Sequence, residues 1–83
     1  MDEIRKQIKE IDKKQIKLIA ERMQLSKKLG QIKKENGLPV KDDKREKELY
    51  EFWRGTAKEN GVSPELVEKI WELILEESIL TQS

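Results

Sequence analysis

Residues 3–34 read EIRKQIKEIDKKQIKLIAERMQLSKKLGQIKK, and this stretch decides the fold. No proline interrupts it, and its one glycine is Gly30. Ile4, Ile8, Ile11, Leu18, Leu25, Leu29 and Ile32 recur at alternating spacings of four and three, the signature of an apolar seam on one long helix. Continuing the rhythm places Gln15 and Arg22 on the same seam. A second apolar row, Ile16, Ile19 and Met23, widens the stripe in mid-helix, which suits packing on more than one neighbour. A helix of this length runs roughly 48 Å, whereas a compact domain of 83 residues is only about 25 Å across. The helix therefore outreaches its own subunit and calls for a partner.

Beyond it, Asn36-Gly37 with Pro39 just downstream stops the first helix. Leu38-Pro39-Val40 reads as extended. Asp42 and Asp43 are alternative N-caps for a second helix over about residues 43–59, and Asp43 has Glu46 at capping-box spacing. Gly55 inside that helix points to a close approach. Asn60-Gly61 ends it. Ser63-Pro64-Glu65 opens a third helix over about residues 64–81, with serine as N-cap and proline at the first helical position. Leu66, Ile70, Trp71, Leu73 and Ile74 make this the most apolar segment, read as the central core helix. The fold class is all-α: one very long helix and two shorter ones in a single domain, residues 1–83.

Composition narrows the chemistry. The 83 residues include neither cysteine nor histidine, which removes disulfides, thiolate zinc sites and histidine-dependent nucleophilic or acid–base catalysis. A core this small is marginal without help, and oligomerisation is the remaining source of burial. Charged residues make up 42% of the chain, yet 18 basic and 17 acidic side chains nearly cancel. No net field draws in nucleic acid or an anionic membrane. The opening MDEIRKQ is too polar for a secretory leader and no apolar run approaches membrane-spanning length, so a cytoplasmic protein is expected.

An arginine on an apolar seam is costly unless an anion meets it. Arg22 either snorkels, pairs with a partner-chain carboxylate such as Glu21, or faces an enclosed anion site. Lys33 lies eleven residues on, within about 20° in azimuth and roughly 16 Å along the axis, so the two long side chains can lean into one space. Taken alone, Lys33 is also an ordinary surface lysine. Arg5 stands on another azimuth and cannot reach Arg22 within a rigid helix; in an antiparallel dimer it reaches the other chain's site. Asp42, Arg45 and Glu46 cluster where the second helix begins, a pattern that capping alone explains. Ser78 and Gln82 share a face late on the third helix.

Together these residues carry a resemblance. The segments IRKQIKEID, IAERMQL, LGQIKKENGLPVKDDKRE and EESILTQ resemble the all-helical class of chorismate mutases, in its short form, over nearly the whole chain. The resemblance implies a homodimer of interlocked three-helix chains, with active sites shared between subunits. It implies a unimolecular Claisen rearrangement of chorismate to prephenate with no cofactor and no metal. By position, Arg22 and the partner subunit's Arg5 would hold the two substrate carboxylates. Lys33 and the Gln82 amide would donate to the ether oxygen. Glu46, with Asp42 nearby, would accept from the ring hydroxyl. Ser78 would assist carboxylate binding, Arg45 would support the site, and Leu29, Leu49 and Leu75 would wall the ring pocket. Because a glutamine does not titrate, activity is expected to be flat between about pH 6 and 9. Two other readings remain: an isochorismate-pyruvate lyase of the same fold, and a non-catalytic helical dimerisation module.

Overall fold

A computed structural model describes residues 1–83 and contains three helices and no strand. Helix α1 spans Asp2–Glu35, α2 spans Asp43–Glu59 and α3 spans Pro64–Gln82. The stop and start signals act where the sequence places them. Asn36 caps α1 and Gly37 follows at φ 64°; Asn60 caps α2 and Gly61 follows at φ 67°. Both glycines occupy the left-handed region that side chains disfavour, which is why each helix ends there. Ser63 caps α3 by accepting from the Leu66 N–H at 3.3 Å. Of the two possible caps on α2, Asp42 is used: its carboxylate accepts from the Arg45 N–H at 3.1 Å. The Asp43–Glu46 capping box does not form, and Glu46 lies one residue too far in to serve the cap that does.

Helix α3 packs on both of the others, and α1 and α2 do not pack on each other. It runs in the same direction as α1, with Ser26 beside Ser78 and Gly30 beside Gln82. It runs antiparallel to α2, to which it is tied by Arg54–Glu68 at 3.0 Å. Trp53 and Ala57 fill the α2–α3 contact, and Tyr50 meets Trp53 edge-on with centroids 5.1 Å apart.

The result is an elongated body of 53 × 23 × 15 Å, only about one and a half helix diameters thick. Only 5 of 83 residues are buried, far short of a closed core. The α1 seam, Ile4, Ile8, Ile11, Leu18, Leu25, Leu29 and Ile32, is exposed along its length. The expectation for α3 needs correcting in one respect. It is central in its packing, yet Leu66, Ile70 and Leu73 remain exposed in the single chain, because α1 and α2 together cover only part of its circumference. The reading of Gly55 as a close approach is also wrong, since a side chain there would meet nothing within 4 Å. The close crossing is at Gly30. No helix is long and apolar enough to cross a membrane.

Candidate active site

The C-terminal half of α1, the start of α2 and the end of α3 converge on one cavity of about 240 Å³. That falls somewhat below the size range for small-molecule sites, which begins at roughly 300 Å³. From α1 come Arg22, Leu29 and Lys33, spaced on one helix face; from α2 come Asp42, Arg45, Glu46 and Leu49; from α3 come Leu75, Ser78 and Gln82. Every sequence-predicted residue except Arg5 thus lines a single space. Arg5 lies seventeen residues before Arg22, or about 25 Å along a rigid helix, and does not reach the cavity of its own chain.

The polar groups are held in specific ways. The Arg22 guanidinium donates to the Ser78 hydroxyl, which itself bonds back to the Ile74 carbonyl at 2.8 Å. None of the four ion pairs of the chain includes Arg22. Partial burial without a counter-charge pushes its pKa down from the ordinary arginine value. Lys33 donates to the Val40 carbonyl at 2.9 Å and to Gln82 Oε1 at 3.0 Å, so its partners are neutral and it too has no carboxylate. The bond to Val40, which also lines the cavity, ties the α1–α2 connection to α1. Asp42 is engaged in the cap, and the Arg45 guanidinium leans on Glu48 at 3.6 Å on the exposed rim.

Glu46 is different. Its Oε2 is buried and has no hydrogen-bond partner, the one such side-chain atom in the chain. An unmet buried acceptor costs about 1–3 kcal/mol, more when charged. Two cations without counter-ions and one acceptor without a donor therefore share a cavity whose apolar walls are four leucines, Val40 and Ile79. The complement of that wall is a small anion carrying a hydroxyl.

Ser26 escaped the sequence reading, and Gly30, though within a quoted segment, was given no packing role. Both are buried on α1 against α3. Ser26 Oγ donates to the Ser78 carbonyl at 2.8 Å and accepts from Gln82 Nε2 at 3.2 Å. A Cβ at Gly30 would stand 2.5 Å from Gln82 Cα. The available signal was spacing, since Ser26 is four residues after Arg22 and four before Gly30. These small residues form the groove in which the end of α3 lies.

Residues 4–83 match the family described as chorismate mutase type II. The chain belongs to the type II chorismate mutase family. It is 45% identical over 74 residues to the chorismate mutase of Methanocaldococcus jannaschii, an alignment covering 89% of this chain and 75% of that protein. It is 38% identical over 78 residues to a bifunctional chorismate mutase/prephenate dehydratase of Buchnera aphidicola, covering 94% of this chain and 20% of the relative. The corresponding bifunctional protein of Escherichia coli is 33% identical over 79 residues, again with 20% of its length covered. This family member thus spans most of a stand-alone mutase and about a fifth of the bifunctional relatives.

Proposed function

We propose that this chain rearranges chorismate to prephenate in a cytoplasmic homodimer whose two active sites each draw residues from both subunits. The observation that carries the reading is the set of unmet groups in the cavity: the Arg22 and Lys33 cations without carboxylate partners and the buried, unpartnered Glu46 Oε2. Chorismate, a dianion with a ring hydroxyl and an ether oxygen, offers one group to each.

In this reading Arg22 takes one substrate carboxylate, its planar fork matching the two oxygens. Ser78, already bonded to Arg22, steadies the guanidinium. The second carboxylate falls to the partner subunit's Arg5. Glu46 accepts from the ring hydroxyl. Asp42 contributes by fixing the first turn of α2, from which Glu46 projects, and Arg45 adds positive charge at the rim. Leu29, Leu49 and Leu75 hold the ring and exclude water. Lys33 and an N–H of Gln82 donate to the ether oxygen. As its carbon–oxygen bond breaks and the new carbon–carbon bond forms, negative charge builds on that oxygen. Preorganised donors there act more strongly on the transition state than on the substrate. Clamping both carboxylates also selects the folded conformer in which the reacting carbons meet. No proton moves, in keeping with a site lacking histidine and cysteine.

The homodimer is supported by the exposed α1 seam and by a second, mostly apolar cavity of about 210 Å³ between α1 and α3, lined by Leu18, Ile19, Ile70, Trp71 and Ile74 with Gln15 and Arg22 at its polar edge. A long helix from a second copy supplies the apolar cover this face lacks.

The test is loss of chorismate absorbance with product identification, using wild type and Arg22→Ala. Prephenate from the first and at least 100-fold less from the second is expected, on the order of one removed charge-assisted bidentate contact. Release of pyruvate from isochorismate with little prephenate, or no turnover by a folded dimer, would overturn the reading.

A further inference from the structure

We infer that Ser26 is a positioning residue that sets which way the Gln82 carboxamide faces. The inference rests on the role proposed for Gln82 above. An amide side chain can be turned over with little change in shape, exchanging its carbonyl for its NH2. Only one of the two orientations leaves an N–H for the ether oxygen at the place where Lys33 also points. The chain fixes that choice from both ends.

At one end stands Lys33, a donor with no acceptor capacity. Its Nζ, 3.0 Å from the amide, requires the carbonyl oxygen on its side. At the other end stands the Ser26 hydroxyl, which could in principle donate or accept. Its single proton is committed: Ser26 Oγ lies 2.8 Å from the Ser78 carbonyl, which can only accept. Toward Gln82 Nε2, 3.2 Å away, Ser26 therefore presents lone pairs and requires the NH2 group. Thr81 does not change this. Its hydroxyl has the Ser78 carbonyl at 2.8 Å and Ser26 Oγ at 3.1 Å; if it donates to the carbonyl its own oxygen is a second acceptor for the Ser26 proton, and if it donates to Ser26 that proton stays on the carbonyl, so neither use turns the Ser26 proton toward Gln82. A turned amide would set NH2 against the ammonium and a carbonyl against lone pairs, losing both bonds. In the observed orientation one N–H is used by Ser26 and the second remains for a ligand.

Burial gives this arrangement its weight. Ser26 is only 8% exposed, so water does not readily replace its oxygen. Gln82 stands on the last turn of α3, where fraying would otherwise free its side chain. Ser26 projects from the interior of α1, a rigid element. The hydroxyl thus lends the order of α1 to a terminal glutamine.

A double-mutant cycle tests this. Ser26→Ala should lower kcat about 2–10-fold, the worth of one net hydrogen bond, with KM changed less than twofold. Ser26→Cys, close in volume but a poor acceptor, should behave like alanine. In a Gln82→Ala background, Ser26→Ala should reduce kcat no further, and should lower the thermal midpoint by less than in wild type, because only its bond to the Ser78 carbonyl is then lost. Equal, additive losses of kcat in the two backgrounds would mean that Ser26 acts only through packing, and would overturn the inference. So would a wild-type kcat in both Ser26 variants. A Gln82→Ala variant with undiminished kcat would instead remove the role assigned to Gln82, and absence of prephenate from wild type would remove the proposed function itself.

Discussion

Gly30→Ala separates the placement of α3 from its stability. A Cβ at residue 30 would lie 2.5 Å from Gln82 Cα, 2.6 Å from Gln82 O and 2.9 Å from Gln82 Cβ. Two of these atoms are backbone, so no rotamer change relieves the overlap. Restoring an ordinary carbon–carbon separation moves the end of α3 away from α1 by about 1–1.5 Å. The Lys33–Gln82 and Ser26–Gln82 contacts, now 3.0 and 3.2 Å, then stretch past hydrogen-bonding range. Misplacement of a donor by about 1 Å costs on the order of 100-fold in rate.

Stability moves far less. Overpacking costs about 1–3 kcal/mol, and replacing glycine by alanine inside a helix returns about 1 kcal/mol, leaving a net loss of about 0–2 kcal/mol. Gly55 supplies the control. It too lies within a helix, but a Cβ there would meet nothing within 4 Å, so Gly55→Ala should stabilise by about 0.5–1 kcal/mol with kcat unaltered. The assays are steady-state prephenate formation and urea unfolding on all three proteins. A Gly30→Ala enzyme with kcat within twofold of wild type, or one stabilised as much as Gly55→Ala, would refute the reasoning.

Glu46→Gln retains shape but removes the charge that makes Oε2 a strong acceptor; kcat/KM should fall about 10–100-fold with an unchanged circular dichroism spectrum, and a loss under threefold would contradict the role given to Glu46. Asp42→Ala removes the cap on Arg45 N–H and should cost about 1 kcal/mol in urea unfolding, since the 3.1 Å bond has no substitute. Tyr50 has its pKa raised by partial burial first and by Glu72, Glu46 and Glu68 next. The folded state therefore holds the phenol proton more tightly, and the stability this contributes is complete below the unfolded value of 10.0 and lost as pH rises above it. Tyr50→Phe should flatten that alkaline loss between pH 8 and 11, and an identical slope in both proteins would count against it. Co-refolding inactive Arg5→Ala with inactive Arg22→Ala should restore about a quarter of wild-type activity, because half of the two-fold dimers are mixed and each carries one complete site; no recovery would exclude a site shared between subunits.

Most of the fold could be read before the structure because punctuation in this chain is local. Asn36-Gly37, Asn60-Gly61 and Ser63-Pro64 act through backbone geometry within a few residues, so the helix limits follow from them. The site was legible to the extent that it is periodic: residues 22, 29 and 33 share one face of α1, and 75, 78 and 82 one face of α3. What could not be read depends on distance between helices. Gly30 and Gly55 look alike in a sequence, and only the crossing of α1 and α3 distinguishes a contact from open space. Ser26, followed by two lysines, carries no sequence signal of its own, and its place is defined only by Ser78 and Gln82 beside it. Asp42 prevails over Asp43 by one residue, and that offset frees Glu46 from the cap to face the cavity.

Assembly and catalysis then become one physical problem. Arg22 stands on the same seam as Leu18 and Leu25, both exposed in the single chain, and it borders both cavities. Covering the seam with the α1 of a second copy buries those leucines, and it also strips water from a guanidinium whose pKa burial already lowers. In the covered site the unpaired cation is more costly, and its attraction for a carboxylate is stronger by the same fall in dielectric. In the proposed dimer the second copy would therefore raise both the cost of the empty site and the gain on filling it. A monomeric variant should bind a dicarboxylate more weakly than the loss of Arg5 alone explains. Comparing dicarboxylate affinity of such a variant with that of dimeric Arg5→Ala measures the difference, and equal affinities would show that the dimer contributes only its arginine.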